Sequence, residues 1–364
     1  MSEPMPDETI TTRKADHIRF AASAEAEPKS GQKWADITLL PHALPTTDLD
    51  QVDLSTEFLG HRLKAPLVIS SMTGGFEAAG ALNAILAAAA ERHGIAMGVG
   101  SQRAALRNPE LASTFSVARE RAPTAMLIAN IGAPQLVPQN SGPALSRHDL
   151  DLVTSMVEAD ALAVHFNFLQ EVVQPEGDRR AQGLREAIAT ALATLELPAI
   201  AKETGAGLSR TAAIAMRELG FKALDVGGQG GTSFALIEGH RAQASGDTRG
   251  SNLGSVFGDW GIPTPVSVFT AGAADLPIIA TGGIRSGLDA AKAIALGATL
   301  VGVARPLLLA ALKGPEAVDD WLCEFAEELR LAIFLTGGQR PQDLREAPRI
   351  VLGDTRAWLD QLGI

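Results

Sequence analysis

The chain has 364 residues, 46% hydrophobic and 20% charged, a globular balance with material for a large core. Its 31 basic and 42 acidic side chains give a formal charge of −11, which argues against a nucleic acid or an anionic membrane surface as partner. The single cysteine, Cys323, excludes an internal disulfide framework and cysteine-held zinc. With no signal-peptide layout at the N-terminus and no apolar run near the ~18–20 residues of a membrane span, a cytoplasmic protein is expected.

Residues 1–60 read as an extension, polar in the middle and then punctuated by prolines, with two adjacent cations and a histidine in RKADHI (13–18). From residue 65 one phrase repeats: a short apolar run, a polar or glycine ending, then an Ala/Leu-rich helical stretch. The runs are 66–73, 94–101, 125–132, 161–167, 198–204, 223–230, 277–283 and 299–304. Helices are predicted over 77–92, 147–159, 180–195, 209–219 and 286–296, with Ser146, Ser209 and Ser286 as N-caps. Near-continuous apolar strands alternating with helices mean a parallel sheet covered on both faces. Eight such units favour closure into a (β/α)8 TIM barrel over 61–312, rather than an open doubly wound sheet. The 231–276 connection, with a polar, Gly-rich middle, is expected to be a mobile lid. Helical stretches at 315–335 and 354–362 make 313–364 a C-terminal cap or an oligomer surface, and a homo-oligomer is expected.

The active site of such a barrel lies at the C-terminal ends of the strands. Those ends read Ser71-Met72-Thr73, Ser101, Asn130, His165 with Asn167, Lys202, the 227–232 glycine cluster, Gly282-Gly283 and Ala304. This ring suits a polar, planar cofactor, although turn chemistry explains any single member. TGGIRSG (281–287) follows the seventh strand and GVARP (302–306) the eighth, where many barrels bind phosphate through glycine turns and helix N-termini. GGQGGTS (227–233) exposes backbone to something flat or charged, or gives hinge freedom. In HFNFLQEVVQPEGDR (165–179), alternation sends His165 and Asn167 to the barrel mouth, with Gln170 and Glu171 at the rim. A lone carboxylate there can hold Mg2+ if a substrate diphosphate and waters complete the shell; alone, it is more often solvated surface. Arg103, in GSQR (100–103), is placed to meet a phosphate bidentately.

Taken together, RKADHI, SSMTGG, GSQRAAL, HFNFLQE with QPEGD, KETG, DVGGQGGTSF, DWGIPT and TGGIRSGLDAAKAIALGA resemble the FMN-dependent type 2 isopentenyl diphosphate isomerases, in the family's order, from Arg13 to about Gly338. The resemblance implies a 1,3-proton shift between isopentenyl and dimethylallyl diphosphate with no net redox change. It also implies an FMN reduced by NADPH or an equivalent and serving as acid and base, and a Mg2+ bound with the diphosphate. Implied FMN contacts are Ser71, Met72, Thr73, Ser101, Asn130, Lys202, Thr232, Gly282, Gly283, Arg285, Ala304 and Arg305. Implied substrate contacts are Arg13, Lys14, Ser101, Gln102, Arg103 and Gln170, with Gln170, His165 and Asn167 in the catalytic group and Glu171 as the metal ligand. Phe166, Thr204 and Gly228 depart from the family's usual Leu, Val and Ala, which touches pocket shape more than chemistry. The alternatives are another FMN barrel oxidoreductase, such as a 2-hydroxy acid oxidase, or a non-catalytic flavin or phosphate binder. The oxidase would carry a His close to an Arg near strand seven, whereas here only His240-Arg241 is available, far from either strand end.

Overall fold

The computed structural model describes residues 16–23 and 26–364. Its strands, in chain order, are β1 (Ile37–Leu39), β2 (Thr56–Phe58), β3 (His61–Leu63), β4 (Leu67–Ile69), β5 (Ala96–Gly98), β6 (Leu127–Gly132), β7 (Ala161–Phe166), β8 (Ala199–Glu203), β9 (Ala223–Asp225), β10 (Ile278–Thr281), β11 (Leu300–Val303) and β12 (Arg349–Val351). β4 to β11 pair in parallel and close on themselves as an eight-stranded barrel, β11 returning to β4. Each falls within one of the eight predicted apolar runs.

Side chains alternate across a strand, so each barrel strand feeds two cores. Val68, Ala96, Ile128, Ala161, Ala163, Ile200, Ala223, Ile279 and Leu300 fill the barrel interior together with Met126. Their neighbours Leu67, Ile69, Met97, Leu127, Leu162, Val164, Ala199, Leu224, Ile278 and Val301 face the helical ring. The β2–β3 hairpin contributes Phe58 and Leu63 to the interior cluster, closing the end of the barrel opposite the site. β1 pairs antiparallel with β12, so the N-terminal extension and the C-terminal cap hold one another.

The helices begin where the serines indicate. Ser146, Ser209 and Ser286 each accept a bond from the N–H three residues on, and Ser146 with Asp149 completes a capping box. The stretch expected as a lid is different: it contains helices Phe234–Ala244, Thr248–Val256 and Thr264–Ala271. Glycine there serves close packing rather than mobility, because a Cβ on Gly254 or Gly239 would strike the other's Cα. The C-terminal helix Pro315–Leu335 lies on helix Gly287–Ala295 and brings Trp321, stacked on Phe325 at 5.0 Å, to the cavity wall. Among the described residues, no helix is long and apolar enough to cross a membrane.

Candidate active site

Two residues beyond the apolar interior layer, the same face of each strand turns polar or shrinks to glycine. Alternation carries Val68 to Ser70, Ile128 to Asn130, Ala163 to His165, Ile200 to Lys202, Ala223 to Asp225, Ile279 to Thr281 and Leu300 to Gly302. All of these but Asp225, which lies behind Lys202, floor a cavity of about 510 Å3 at the C-terminal ends of the strands. Its walls hold Ser71, Met72, Thr73, Ser101, Arg103, Asn130, His165, Asn167, Gln170, Glu171, Lys202, Thr232, Gly282, Gly283, Arg285, Ala304 and Arg305. Of the site residues predicted from sequence and described by the structure, all but Gln102 line it. Arg13 and Lys14 lie outside the described residues.

Gln102, expected at the substrate, is fully buried behind the wall. Its amide donates to Val153 O at 2.8 Å and accepts from Asn130 N at 2.9 Å. The side chain therefore clamps β6 to the following helix and positions Asn130. Asn130 in turn donates to Val99 O at 3.1 Å, which turns its Oδ1 toward His165 Nδ1 at 2.7 Å. An amide oxygen only accepts, so this network puts the His165 proton on Nδ1. Beside it, Lys202 Nζ is held by Asp225 at 2.7 Å in a buried pair.

The glycine loops after β9 and β10 pack on one another. Gly282, at φ 128°, has no room for a Cβ because Gly228 O and Thr264 Oγ1 already fill that place. Gly228 is confined in the same way by Thr264, so the alanine usual at this position would not fit here. The loops are braced from outside by Trp34, which is fully buried and donates from its indole N–H to Gly282 O at 3.1 Å.

The richest constellation joins four distant stretches. Glu171, expected at the rim, is buried in the wall. Its carboxylate accepts from Asn167 Nδ2 at 3.1 Å, Gln174 Nε2 at 2.5 Å and Asp178 N at 2.7 Å. Asp178 pairs with Arg103 at 2.6 Å. On the other side, Asn167 Nδ2 also donates to Gln170 Oε1 at 3.1 Å, and Gln170 Nε2 donates to Glu238 Oε1 at 2.9 Å. The same oxygen of Glu238 lies 2.7 Å from His17 Nε2, and Arg241 holds its partner oxygen. Burial raises the Glu238 carboxyl, but His17 and Arg241 lower it further, to about 2. It is thus an ionised carboxylate in the interior, aligning one imidazole and one amide that both face the cavity. His240-Arg241, set aside in the sequence as remote, supplies half of this clamp. Sequence reasoning gave no sign of Glu238, which lies in the stretch read as a lid and whose partner His17 is 221 residues earlier.

Glu203 was also missed. One of its oxygens accepts from the N–H groups of Gly205, Ala206 and Gly207 at 2.5–3.0 Å and so shapes the loop after β8. Burial nonetheless dominates and raises the carboxyl to about 7 from 4.5, against the lowering by those donors. A carboxyl raised in the folded state stabilises the fold fully below its unfolded value and loses that contribution as pH climbs through the folded one. The melting temperature should therefore fall between about pH 5 and 8. Glu203→Gln, which keeps a carbonyl acceptor, should flatten that fall in a calorimetric pH series. Parallel curves for the two proteins would show that Glu203 does not titrate in this window.

Residues 7–133 and 263–350 match the model of the FMN-dependent dehydrogenase family. An isopentenyl-diphosphate delta-isomerase of Methanosarcina barkeri is 46% identical, over 98% of this chain and 96% of its own length. Those of Methanothrix thermoacetophila and Thermoplasma acidophilum are 48% and 44% identical, over 97% and 96% of this chain and 96% and 99% of their own. A solved mandelate oxidase superposes with a TM-score of 0.61 at 19% identity, over 95% of this chain and 98% of that one, a likeness of fold alone. Near-full-length identity at this level, with a flavin-family match and a barrel-mouth cavity, settles the family: the chain belongs to the FMN-dependent, type 2 isopentenyl-diphosphate delta-isomerases.

Proposed function

We propose that the cavity interconverts isopentenyl and dimethylallyl diphosphate on FMN, and that Mg2+ and NADPH complete the system. The observation that carries this is one cavity wall holding both a flavin-compatible floor and the His17–Glu238–Gln170–Asn167–Glu171 chain. The floor fits FMN on its own chemistry. Ser70 Oγ, Thr73 Oγ1 and Thr281 Oγ1 are buried at the cavity with no protein partner, as hydroxyls awaiting a polar ligand are. Glycine at 302 lets these hydroxyls crowd the floor, because a Cβ there would strike both Thr281 Oγ1 and Ser70 Oγ. Bound there and reduced, the flavin supplies an acid–base centre and a π face for a developing tertiary cation.

The protein binds, orients and keeps water out. We assign the diphosphate to Arg103 and, from the N-terminal segment, Arg13 and Lys14, since an acidic protein must gather cations where an anion binds. Mg2+ is assigned to Glu171, whose neighbours Asn167 Oδ1 and Gln174 Oε1 are buried acceptors without a protein partner, a set of hard oxygen donors. Among the described residues no group of three His, Cys, Asp or Glu is poised to hold a metal, so substrate oxygens and waters would complete the shell. His165, held as the Nδ1–H tautomer, and Asn167 position the carbon skeleton, while His17 and Gln170 line the same cavity in orientations fixed by Glu238.

Incubation of isopentenyl diphosphate with the FMN-loaded, dithionite-reduced protein and Mg2+ tests the reading. Proton NMR should show the dimethylallyl methyl signals growing with time; a folded flavoprotein giving none would overturn it. Arg13→Ala with Lys14→Ala should raise KM by about tenfold or more with FMN content unchanged. Wild-type kinetics would return both residues to solvent.

A further inference from the structure

Among the described residues, the Arg and Lys side chains at the cavity are all engaged by carboxylates. Arg103 is paired with Asp178 and Lys202 with Asp225, each on its own side of the barrel mouth. Arg285 and Arg305, from the loops after β10 and β11, share a single partner, Glu27 of the N-terminal segment. Arg285 Nη2 lies 2.6 Å from Glu27 Oε2, and Arg305 Nη1 binds the other oxygen. Arg305 also donates to Ala21 O at 2.8 Å and Ser23 O at 3.2 Å, so one guanidinium grips the backbone and the carboxylate of the same segment. Glu27, Arg285 and Arg305 all line the cavity. The segment has independent anchors: Ser233 N donates to Ala26 O at 2.8 Å, and His17 reaches Glu238. Glu27 can therefore turn aside without the segment leaving.

We propose that Glu27 is a built-in competitor for the phosphate of the cofactor, holding Arg285 and Arg305 as a carboxylate stand-in until FMN displaces it. The inference rests on the flavin reading above. A phosphate dianion drawn to the two guanidiniums meets the Glu27 carboxylate already spanning them, and two anions on one guanidinium pair repel. Glu27 thus lowers FMN affinity in proportion to the phosphate charge and leaves the isoalloxazine end untouched. Loading the cofactor frees the N-terminal segment from its carboxylate tie, linking occupancy of the flavin site to the segment that carries His17.

The test is titration of the flavin-free enzyme with FMN and, separately, with riboflavin, followed by flavin fluorescence. Glu27→Gln should bind FMN at least about fivefold more tightly than wild type and bind riboflavin equally. In wild type, FMN should speed amide exchange over residues 20–27, whereas riboflavin should not, a readout that holds even if the variant folds poorly. Unchanged or weaker FMN binding by Glu27→Gln, or slower exchange on FMN addition, would overturn the proposal. If neither folded protein bound either flavin, the flavin reading itself would fall, and this inference with it.

Discussion

Glu238→Gln is expected to lower kcat by about 10²- to 10³-fold while moving KM by less than about threefold. Glu238 does not face the cavity. It is 2% exposed and acts through two groups that do, His17 and Gln170. Its ionised carboxylate fixes the imidazole by Nε2 and turns the Gln170 amide so that Nε2 points at Glu238 and Oε1 at Asn167. An amide in its place can donate as well as accept, which frees both partners to rotate, and it removes the charge facing His17 and Arg241. A merely structural role would shift the melting temperature and leave kcat of the folded enzyme alone. The positioning role predicts lost turnover with KM nearly unchanged, because His17 and Gln170 stay in the wall but lose the ionised acceptor that aligns them. Gln170→Ala should likewise cost turnover more than binding. A Glu238→Gln enzyme with wild-type kcat would remove this chain from the chemistry.

Glu171→Gln should raise the half-saturating Mg2+ concentration by about 10- to 100-fold, weaken substrate binding alongside, and leave FMN content intact. The carboxylate supplies the formal charge of the assigned metal site, and the amide that replaces it has one acceptor oxygen instead of two. Gln174 Nε2 and Asp178 N both use Glu171 Oε2, so the variant also loosens the turn that presents Asp178 to Arg103. The two effects separate on excess Mg2+, which restores a lost metal ligand but not a displaced arginine. Unaltered Mg2+ dependence would return Glu171 to a purely structural hydrogen-bond acceptor.

The barrel and most of its mouth were legible in the sequence because parallel strands write two periodicities at once. The apolar run marks the element, and the residue two beyond the interior layer marks the site. Asn130 and Lys202 were read as polar strand ends and His165 by alternation as well, and Asp225 was available by a step of two from Ala223. What stayed hidden lacks a local signal. Glu238 is one polar residue on a helix, and only the fold reveals that His17, Gln170 and Arg241 converge on it. The 231–276 glycines looked like freedom of motion, yet Gly239 and Gly254 are small so that two helices can touch. Gln102 sits in a motif with Ser101 and Arg103, but the turn that opens helix Arg103–Arg107 points it inward, where a buried amide must bond to backbone.

The ratio of product to NADPH consumed tests the central claim most directly, because an isomerase gains no electrons from its substrate. With the FMN-loaded enzyme, Mg2+, excess isopentenyl diphosphate and a trace of NADPH under anaerobic conditions, dimethylallyl diphosphate should accumulate far beyond the NADPH oxidised. Omitting the reductant should leave the oxidised protein inactive. One molecule of product per NADPH would contradict the account and mark the cavity as that of a flavin oxidoreductase.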